Sequence, residues 1–199
     1  MSTIDFWFSI GSTYSYLSVM RIERVTAETG IHFAWRPFNV RSIMMAQNNI
    51  PFANKPVKAA YMWRDIARRA AKHRLSPRIP APYPIADLPL ANQVALLGMR
   101  EGWGVAFVTE AYRLWFDEGE VAGADPNLTR SLRAAGQDPG PTLARAAAED
   151  MVAALISETE RAMSIGVFGS PSFVVEGEVF WGDDRMEDAI SWCRCGRVV

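Results

Sequence analysis

The chain has 199 residues, of which 49% are apolar and 22% are charged, and its formal net charge is −1. These values are typical of a globular protein with one large domain, or one domain with an insertion, around a sizeable core. The balanced charge excludes the electrostatic signature of a nucleic-acid-binding protein, and no apolar run approaches the roughly 18 residues that a membrane span requires. The first nine residues have no basic start and include Asp5, so the sequence predicts no signal peptide and a cytoplasmic location.

The beginning of the chain predicts a βαβ unit. Ile4–Ile10 is rich in aromatic and β-branched residues, which indicates a strand, and Gly11 breaks it. A helix is predicted over Thr13–Thr29, closed by Gly30 in the usual position after a helix end. Ile31–Phe38 predicts the second strand. A strand, a helix and a strand of these lengths imply a parallel strand pair.

The middle of the chain, from residue 39 to about residue 165, is predicted to be mostly helical. Helices are expected near Pro56–His73, Asp87–Glu101, Val105–Glu118 and Leu143–Ile165. The proline-rich stretch Leu75–Pro84 interrupts them, because proline lacks the backbone donor that a regular helix or central strand requires. Turns at Asp125-Pro126 and Asp138–Pro141 separate short helices.

The end of the chain returns to strands. Pro171–Val175 and Glu178–Trp181 flank the two-residue turn Glu176-Gly177, which predicts a hairpin, and Met186–Cys193 predicts a last helix. This element order indicates an α/β thioredoxin-like fold, with residues 1–38 and 166–199 as one domain and residues 39–165 as a helical insertion domain. Two separate domains are disfavoured, because the outer segments have too few strands to be stable unless they pair with each other.

Ser12 lies at the junction of the first strand and the first helix, in the segment Ser12–Ser15, where redox-active thioredoxin-like proteins carry Cys-x-x-Cys. Free amides and the helix dipole stabilise an anion such as a thiolate at this position. A serine hydroxyl donates a hydrogen bond to a thiolate that belongs to another molecule, which predicts Ser12 as the catalytic partner of a bound thiol. The alternative is a simple helix N-cap, and on this segment alone that is the simpler interpretation.

Pro171 opens a strand after the glycine-containing segment Gly166–Gly169. In the thioredoxin plan this proline is cis and faces the start of the first helix, and it presents the backbone of Ser170 to a peptide-like ligand. The alternative is an ordinary turn before a hairpin.

Asp183 and Asp184 lie at the start of the last helix. Acidic residues at this position commonly cap a helix, but they also suit the binding of an ammonium group. The residues alone leave both interpretations open.

The helix predicted near residue 60 has a polar stripe, and several apolar residues lie in it or shortly before it in the sequence. Four polar residues share one face by their spacing: Lys58, Tyr61, Asp65 and Arg68. Such a stripe is usually a solvated face; a lysine that faces an acidic substrate is the functional alternative. Four nearby apolar residues either line an aromatic-binding pocket or belong to the core: Met44, Met45, Met62 and Trp63.

The two cysteines, Cys193 and Cys195, are almost at the end of the chain. A Cys-x-Cys pair is a poor disulfide candidate, and neither His32 nor His73 lies in a ligand motif, so no metal site is predicted. A thiol–disulfide oxidoreductase is disfavoured, because it requires a cysteine at the start of the first helix.

Three segments together resemble a known family. D-F-W-F-S-I-G-S-T-Y-S-Y-L (residues 5–17), G-V-F-G-S-P-S-F (166–173) and F-W-G-D-D-R (180–185) resemble 2-hydroxychromene-2-carboxylate isomerases. These enzymes are similar to kappa-class glutathione transferases and belong to the DsbA-like group. A looser middle match rests on N-K-P (54–56) with Lys58, Tyr61 and Asp65, so the resemblance covers nearly the whole chain.

The resemblance implies glutathione as cofactor and an aromatic carboxylate as substrate. In the implied roles, Ser12 hydrogen-bonds the glutathione sulfur, and Ser170 before Pro171 pairs with the cysteinyl backbone. Asp183 and Asp184 hold the γ-glutamyl end, with Asp184 the better match. Asn54 and Lys58 face the second substrate. The implied reaction converts 2-hydroxychromene-2-carboxylate to the open-chain benzylidenepyruvate in naphthalene-type catabolism, by reversible thiolate addition. A homodimer is also expected from the family.

The chain departs from the family pattern beside Ser12. Thr13 stands where the family usually has proline, and Phe8-Ser9-Ile10 stands where it often has Phe-Asp-Phe. The first change loosens the helix start and the second removes a charge near the site. A kappa-like transferase or peroxidase, and a non-catalytic glutathione-binding protein, therefore remain alternatives, as does another small thiol in place of glutathione.

Overall fold

The computed structural model describes residues 3–49, 52, 55–85 and 88–199, without the side chain of Leu88, and this part of the chain contains one four-stranded sheet. The strands are β1 (Thr3–Phe8), β2 (His32–Pro37), β3 (Ser172–Val175) and β4 (Glu178–Trp181). Their order in the sheet is β2-β1-β3-β4.

The strand pairing confirms the predicted α/β thioredoxin-like fold. β1 runs parallel to β2, and it pairs antiparallel with β3, where Phe6 lies opposite Phe173. The two outer segments of the chain therefore do pair with each other. β3 and β4 form the predicted hairpin, and its turn residues Glu176 and Gly177 both have positive φ, as a tight hairpin turn requires.

Helices account for most of the remaining described residues. They are α1 (Thr13–Thr29), α2 (Val40–Ala46), α3 (Pro56–Lys72), α4 (Leu88–Glu101), α5 (Gly104–Arg113), α6 (Asn127–Ala134), α7 (Pro139–Ala146), α8 (Glu149–Ser164) and α9 (Met186–Cys195). A π-helical turn, Leu114–Glu118, continues α5, and a 3₁₀ turn, Asp183–Arg185, precedes α9. In the described part of the chain no helix is both long enough and apolar enough to cross a bilayer.

Two features of the helical segment differ from the prediction. The single helix predicted over Leu143–Ile165 is two helices, because Ala148 adopts an extended conformation (ψ 153°) between α7 and α8. The short helix α2 was not predicted, although its cap is visible in the sequence. The side chain of Asn39 accepts hydrogen bonds from the backbone N–H groups of Arg41 and Ser42, as a good N-cap residue does.

One apolar core joins the sheet to the helical segment. Phe6 of β1 stacks on Phe173 of β3 with 5.4 Å between ring centroids, and Tyr16 of α1 stacks on Phe116 of the π-helical turn at 4.0 Å. These residues belong to a single buried cluster. The division into a thioredoxin-like domain and an insertion domain stays a prediction, and the two parts share this core.

Helices α4 and α5 approach each other closely because glycine lies at their contact. A Cβ atom on Gly98 would lie 2.6 Å from the Cα atom of Gly104, a distance that real Cβ atoms essentially never show. The absence of both side chains lets the two helices meet near the start of α5. From this contact α5 extends against α1, and α4 extends against β2.

Candidate active site

Ser12 holds the N-cap position of α1, but its hydroxyl does not cap the helix. Its backbone is extended, and its N–H donates to the carbonyl of Ser9 at 3.0 Å. The side-chain Oγ instead donates to the carbonyl oxygen of Ser170 at 2.6 Å. The hydroxyl therefore points across the molecule, away from the first turn of α1.

The Ser170–Pro171 segment faces this junction. Its peptide bond is cis, as predicted. The Oγ of Ser170 accepts a hydrogen bond from the N–H of Ser9 at 2.8 Å and shares another, also of 2.8 Å, with the hydroxyl of Ser15. Two motifs that lie more than 150 residues apart in the sequence thus meet through three hydrogen bonds.

An apolar cavity of about 300 Å³ opens beside Ser12 and Ser170. Methionine and aromatic side chains form much of its lining: Met44, Tyr61, Met62, Tyr83, Phe168 and Trp181. Of the four apolar residues proposed for such a pocket, Met44 and Met62 line it. Met45 is 60% exposed, and Trp63 packs edge-on against Tyr83, with 6.3 Å between ring centroids.

Two cationic side chains, Arg41 and Lys58, also line this apolar cavity. Lys58 is exposed, and its Nζ lies 5.9 Å from the ring centroid of Phe52. Among the described residues that line the cavity there is no aspartate or glutamate. Asn54, the other residue expected to face the second substrate, lies outside the described residues.

A second, polar cavity of about 420 Å³ lies next to the first. Its charged residues are Asp65, Arg69, Asp183, Asp184 and Arg185. Tyr14, Ser170 and Trp181 line both cavities. The two cavities therefore adjoin at the segment that contacts the Ser12 hydroxyl.

The two neighbouring aspartates of the polar cavity differ in their surroundings. The carboxylate of Asp183 is fully buried, 2.7 Å from Arg69 and 3.3 Å from Arg21, and Ser18 donates to it at 3.0 Å. Asp184 is exposed, and its carboxylate lies 3.6 Å from the neighbouring guanidinium of Arg185. The geometry therefore favours Asp184 for a direct ligand contact, whereas Asp183 holds this turn against α1 and α3.

Three of the four residues in the polar stripe on α3, all except Lys58, form a connected network with Tyr14. The hydroxyl of Tyr14 donates to Asp65 at 3.0 Å, Asp65 pairs with Arg68 at 3.3 Å, and Arg68 lies over the ring of Tyr61. Burial and the adjacent Asp65 carboxylate raise the pKa of Tyr14, so this tyrosine stays protonated near neutral pH. The stripe is thus more than a solvated face, since it holds one wall of the site.

Sequence reasoning missed two buried residues that hold the loop before Ser12. Asn92 of α4 accepts a hydrogen bond from the N–H of Ile10 at 2.8 Å, and Tyr112 of α5 donates to the carbonyl of Ser9 at 3.0 Å. Nothing in the local sequence marks either residue, because each lies in an ordinary amphipathic helix more than 80 positions away from its partner.

The two cysteines, Cys193 and Cys195, lie at the end of α9. Ser12 rather than a cysteine stands at the start of α1, so this position has no thiol of its own for disulfide exchange.

Known proteins resemble this chain over most of its length. A family model described as a DSBA-like thioredoxin domain matches residues 3–190. The chain is 31% identical to the 2-hydroxychromene-2-carboxylate isomerase of Sphingobium xenophagum over 93% of its own length and 94% of that protein. The chain belongs to this isomerase family of DsbA-like thioredoxin proteins. The predicted family is therefore confirmed, and the names of its relatives support an isomerase.

Two further relatives extend the comparison. Glutathione S-transferase kappa 1 of Caenorhabditis elegans is 24% identical and is matched over 92% of this chain and 86% of that protein. A solved structure of a 2-hydroxychromene-2-carboxylate isomerase superposes with a TM-score of 0.81 at 22% identity, covering 92% of this chain and 90% of that chain. This superposition shows the shared fold.

Proposed function

We propose that the protein is a glutathione-dependent isomerase that converts 2-hydroxychromene-2-carboxylate, or a related aromatic acid, to the open-chain benzylidenepyruvate. The observation that carries the proposal is the position of the Ser12 hydroxyl. It lies at the start of α1, 2.6 Å from the carbonyl of Ser170, and Ser170 lines both the polar and the apolar cavity. A thiol in one cavity and an aromatic acid in the other would meet beside this hydroxyl.

The polar cavity fits a thiol peptide such as glutathione. Asp184 offers an exposed carboxylate for the γ-glutamyl ammonium group, and the exposed guanidinium of Arg185 offers a cation for a carboxylate. The carbonyl of Ser170, beside Pro171, accepts from Ser12 Oγ, and once that hydroxyl turns to the sulfur the Ser170 backbone would pair with the cysteinyl backbone. A kappa-class transferase among the relatives also supports glutathione as the thiol.

The Ser12 site suits a thiolate. The hydroxyl of Ser12 has one proton, which it donates here to the carbonyl of Ser170, and it would turn this hydrogen bond to the sulfur of a bound thiol. The start of α1 supplies positive electrostatic potential. When bound, glutathione supplies a thiolate that adds to an electrophilic carbon and later leaves again, so it is regenerated. The role of Ser12 is to hold the sulfur in its anionic form.

The apolar cavity suits an aromatic carboxylic acid. Methionine and aromatic side chains offer a surface for flat rings, and Met62 in particular is buried next to Thr13, whose hydroxyl donates to its sulfur. Arg41 and Lys58 offer cations for the carboxylate of the substrate. A neutral or cationic substrate would leave these two groups unused.

A kappa-like transferase is the second candidate, because one relative carries that name. It would use the same two cavities but would consume glutathione. The net balance of thiol therefore separates the two functions.

The proposal is tested by incubating the full chain with 2-hydroxychromene-2-carboxylate and reduced glutathione, while substrate absorbance and free thiol are followed in parallel. We expect many substrate molecules to be converted per glutathione with no loss of thiol, and no rate above buffer with S-methylglutathione. Loss of thiol in step with substrate would support the transferase. Conversion that does not depend on any thiol, or no conversion at all, would overturn the proposal.

Replacement of Ser12 tests the residue on which the proposal rests. In Ser12→Ala we expect turnover to fall at least roughly tenfold, the scale of one lost charge-assisted hydrogen bond, while calorimetric binding of glutathione weakens only modestly. The matched control is Ser157→Ala on the exposed face of α8, which should behave as the unmodified protein. Equal turnover in both variants would contradict a catalytic role for Ser12.

A further inference from the structure

The loop between β1 and α1, residues 9–12, is held by side chains from the helical segment. The amide of Asn92 is bonded on both sides: its oxygen accepts from the N–H of Ile10 at 2.8 Å, and its nitrogen lies 3.3 Å from both the carbonyl of Ile10 and the hydroxyl of Ser9. The hydroxyl of Tyr112 lies 3.0 Å from the carbonyl of Ser9 and 3.3 Å from that of Ser12.

Both side chains are fully buried. Burial raises the pKa of Tyr112, so its hydroxyl stays protonated and remains a donor near neutral pH. A loop backbone that has left the sheet needs such partners, because an unpaired buried N–H or carbonyl group is costly. Asn92 therefore orients the peptide groups on both sides of Ile10, and Tyr112 orients the carbonyls of Ser9 and Ser12.

Neither residue is among those that line the two cavities. Any effect that they have on the reaction is therefore indirect: it passes through the loop or, for Tyr112, also through the hydroxyl of Ser15, which bonds Ser170. Because Ser12 Oγ and the first amides of α1 move with the peptide planes that Tyr112 and Asn92 hold, a small rotation of this loop changes the position of the hydroxyl relative to a sulfur.

We infer that Tyr112 and Asn92 are positioning residues for the reaction. Both come from the helical segment, and together they set the Ser12 hydroxyl against the thiol. This inference rests on the proposed function, since it requires a thiol at Ser12. The close contact of α4 with α5 at Gly98 and Gly104 brings both residues to the loop from one side.

The test compares Tyr112→Phe with Tyr16→Phe. Both variants remove only a hydroxyl from a buried tyrosine, but Tyr16 stacks on Phe116 and its hydroxyl interacts with Asp117. The readouts are the pKa of the glutathione thiol bound to the full chain, followed by the ultraviolet absorbance of the thiolate, together with kcat and KM. In Tyr112→Phe we expect the thiol pKa to rise by about half a pH unit and kcat to fall roughly threefold to tenfold, with a smaller change in KM.

Asn92→Ala gives a second, independent comparison, with Gln93→Ala as the control from the same buried part of α4. We expect Asn92→Ala to raise the thiol pKa and Gln93→Ala to leave it unchanged. Because Asn92 and Tyr112 hold the same loop, the effects of Tyr112→Phe and Asn92→Ala on thiol pKa should not add in the double variant.

The outcomes separate the inference from the proposed function. If Ser12→Ala raises the thiol pKa while Tyr112→Phe and Asn92→Ala leave both it and kcat unchanged, the inference is wrong, even if melting temperatures fall. If the unmodified protein shows no bound thiolate and Ser12→Ala behaves identically, the proposed function fails and the inference fails with it.

Discussion

The two cavities that adjoin at Ser170 are built in different ways. The polar cavity rests on buried charge: Asp183 is inaccessible to solvent and pairs with Arg21 and Arg69. The apolar cavity has walls that are partly open, since Tyr61 is 62% exposed and Trp181 is 54% exposed. An exposed side chain in a cavity wall can be replaced with little effect on stability. Loss of one partner of a buried ion pair, in contrast, leaves the other charge buried and unpaired.

This difference predicts which substitutions change the stability of the protein and which change ligand binding alone. The polar cavity couples the ligand site to the fold, because the same turn that carries Asp184 also carries Asp183. In the apolar cavity, ligand binding is independent of the stability of the fold, because the two cations of this cavity lie on exposed helix surfaces.

The largest effect is expected for Asp183→Ala. The change leaves Arg69 without its closest carboxylate and leaves the largely buried Arg21 with Glu187 as its remaining acidic partner, so we expect a loss of about 3–5 kcal/mol in the free energy of unfolding. Chemical denaturation measures it. The matched control, Asp184→Ala, should unfold as the unmodified protein does. Equal losses in the two variants would contradict the distinction between the two aspartates.

A smaller effect is expected when one charge of each cavity is removed. Asp184→Ala should weaken glutathione binding up to roughly fivefold and leave the KM of the aromatic acid unchanged. Lys58→Ala should raise the KM of the aromatic acid to a similar extent and leave glutathione binding unchanged. Both effects are small because each charge is exposed and screened. Calorimetry and steady-state kinetics measure the two constants. Lys72→Ala, at the exposed end of α3, is the control. If both variants changed the same constant, the assignment of one ligand to each cavity would be wrong.

The smallest effect is expected from His73, which lies beside the buried ion pairs. Burial and the adjacent Arg21 guanidinium lower the pKa of His73 below its ordinary value of 6.5. The unfolded chain therefore takes up this proton before the folded protein does, and stability falls as the pH drops below about 6.5. Denaturation at several pH values should show a shallower loss in His73→Gln than in the unmodified protein or in His32→Gln. Parallel curves for all three would contradict the prediction.

The helices and strands that lie close to the site follow from local patterns. The run of aromatic and β-branched residues before Gly11 predicted β1, and Gly30, whose φ is 71°, ends α1 where the sequence placed the end. The hairpin followed from Glu176-Gly177. Each depends on neighbours within a few positions, so the information is available without the rest of the chain.

The helical segment was predicted less well, and the reason is again physical. The break at Ala148 has no glycine or proline, and alanine favours a helix. The residue is itself exposed, but α7 before it and α8 after it each pack against α4, which the local sequence does not show. The cap of α2 at Asn39 is a local signal that the prediction overlooked.

The sequence by itself determined the family, the α/β order of elements and the identity of Ser12, Ser170 and Pro171 as candidates, since motifs and turn residues act over short distances. Only the tertiary structure decided that the Ser12 hydroxyl turns to Ser170, that Asp183 is buried while Asp184 is exposed, and that Asn92 and Tyr112 hold the loop. Two adjacent aspartates have the same local chemistry. Their surroundings differ because residues from α1 and α3, more than 100 positions away, come to lie against one of them and not the other.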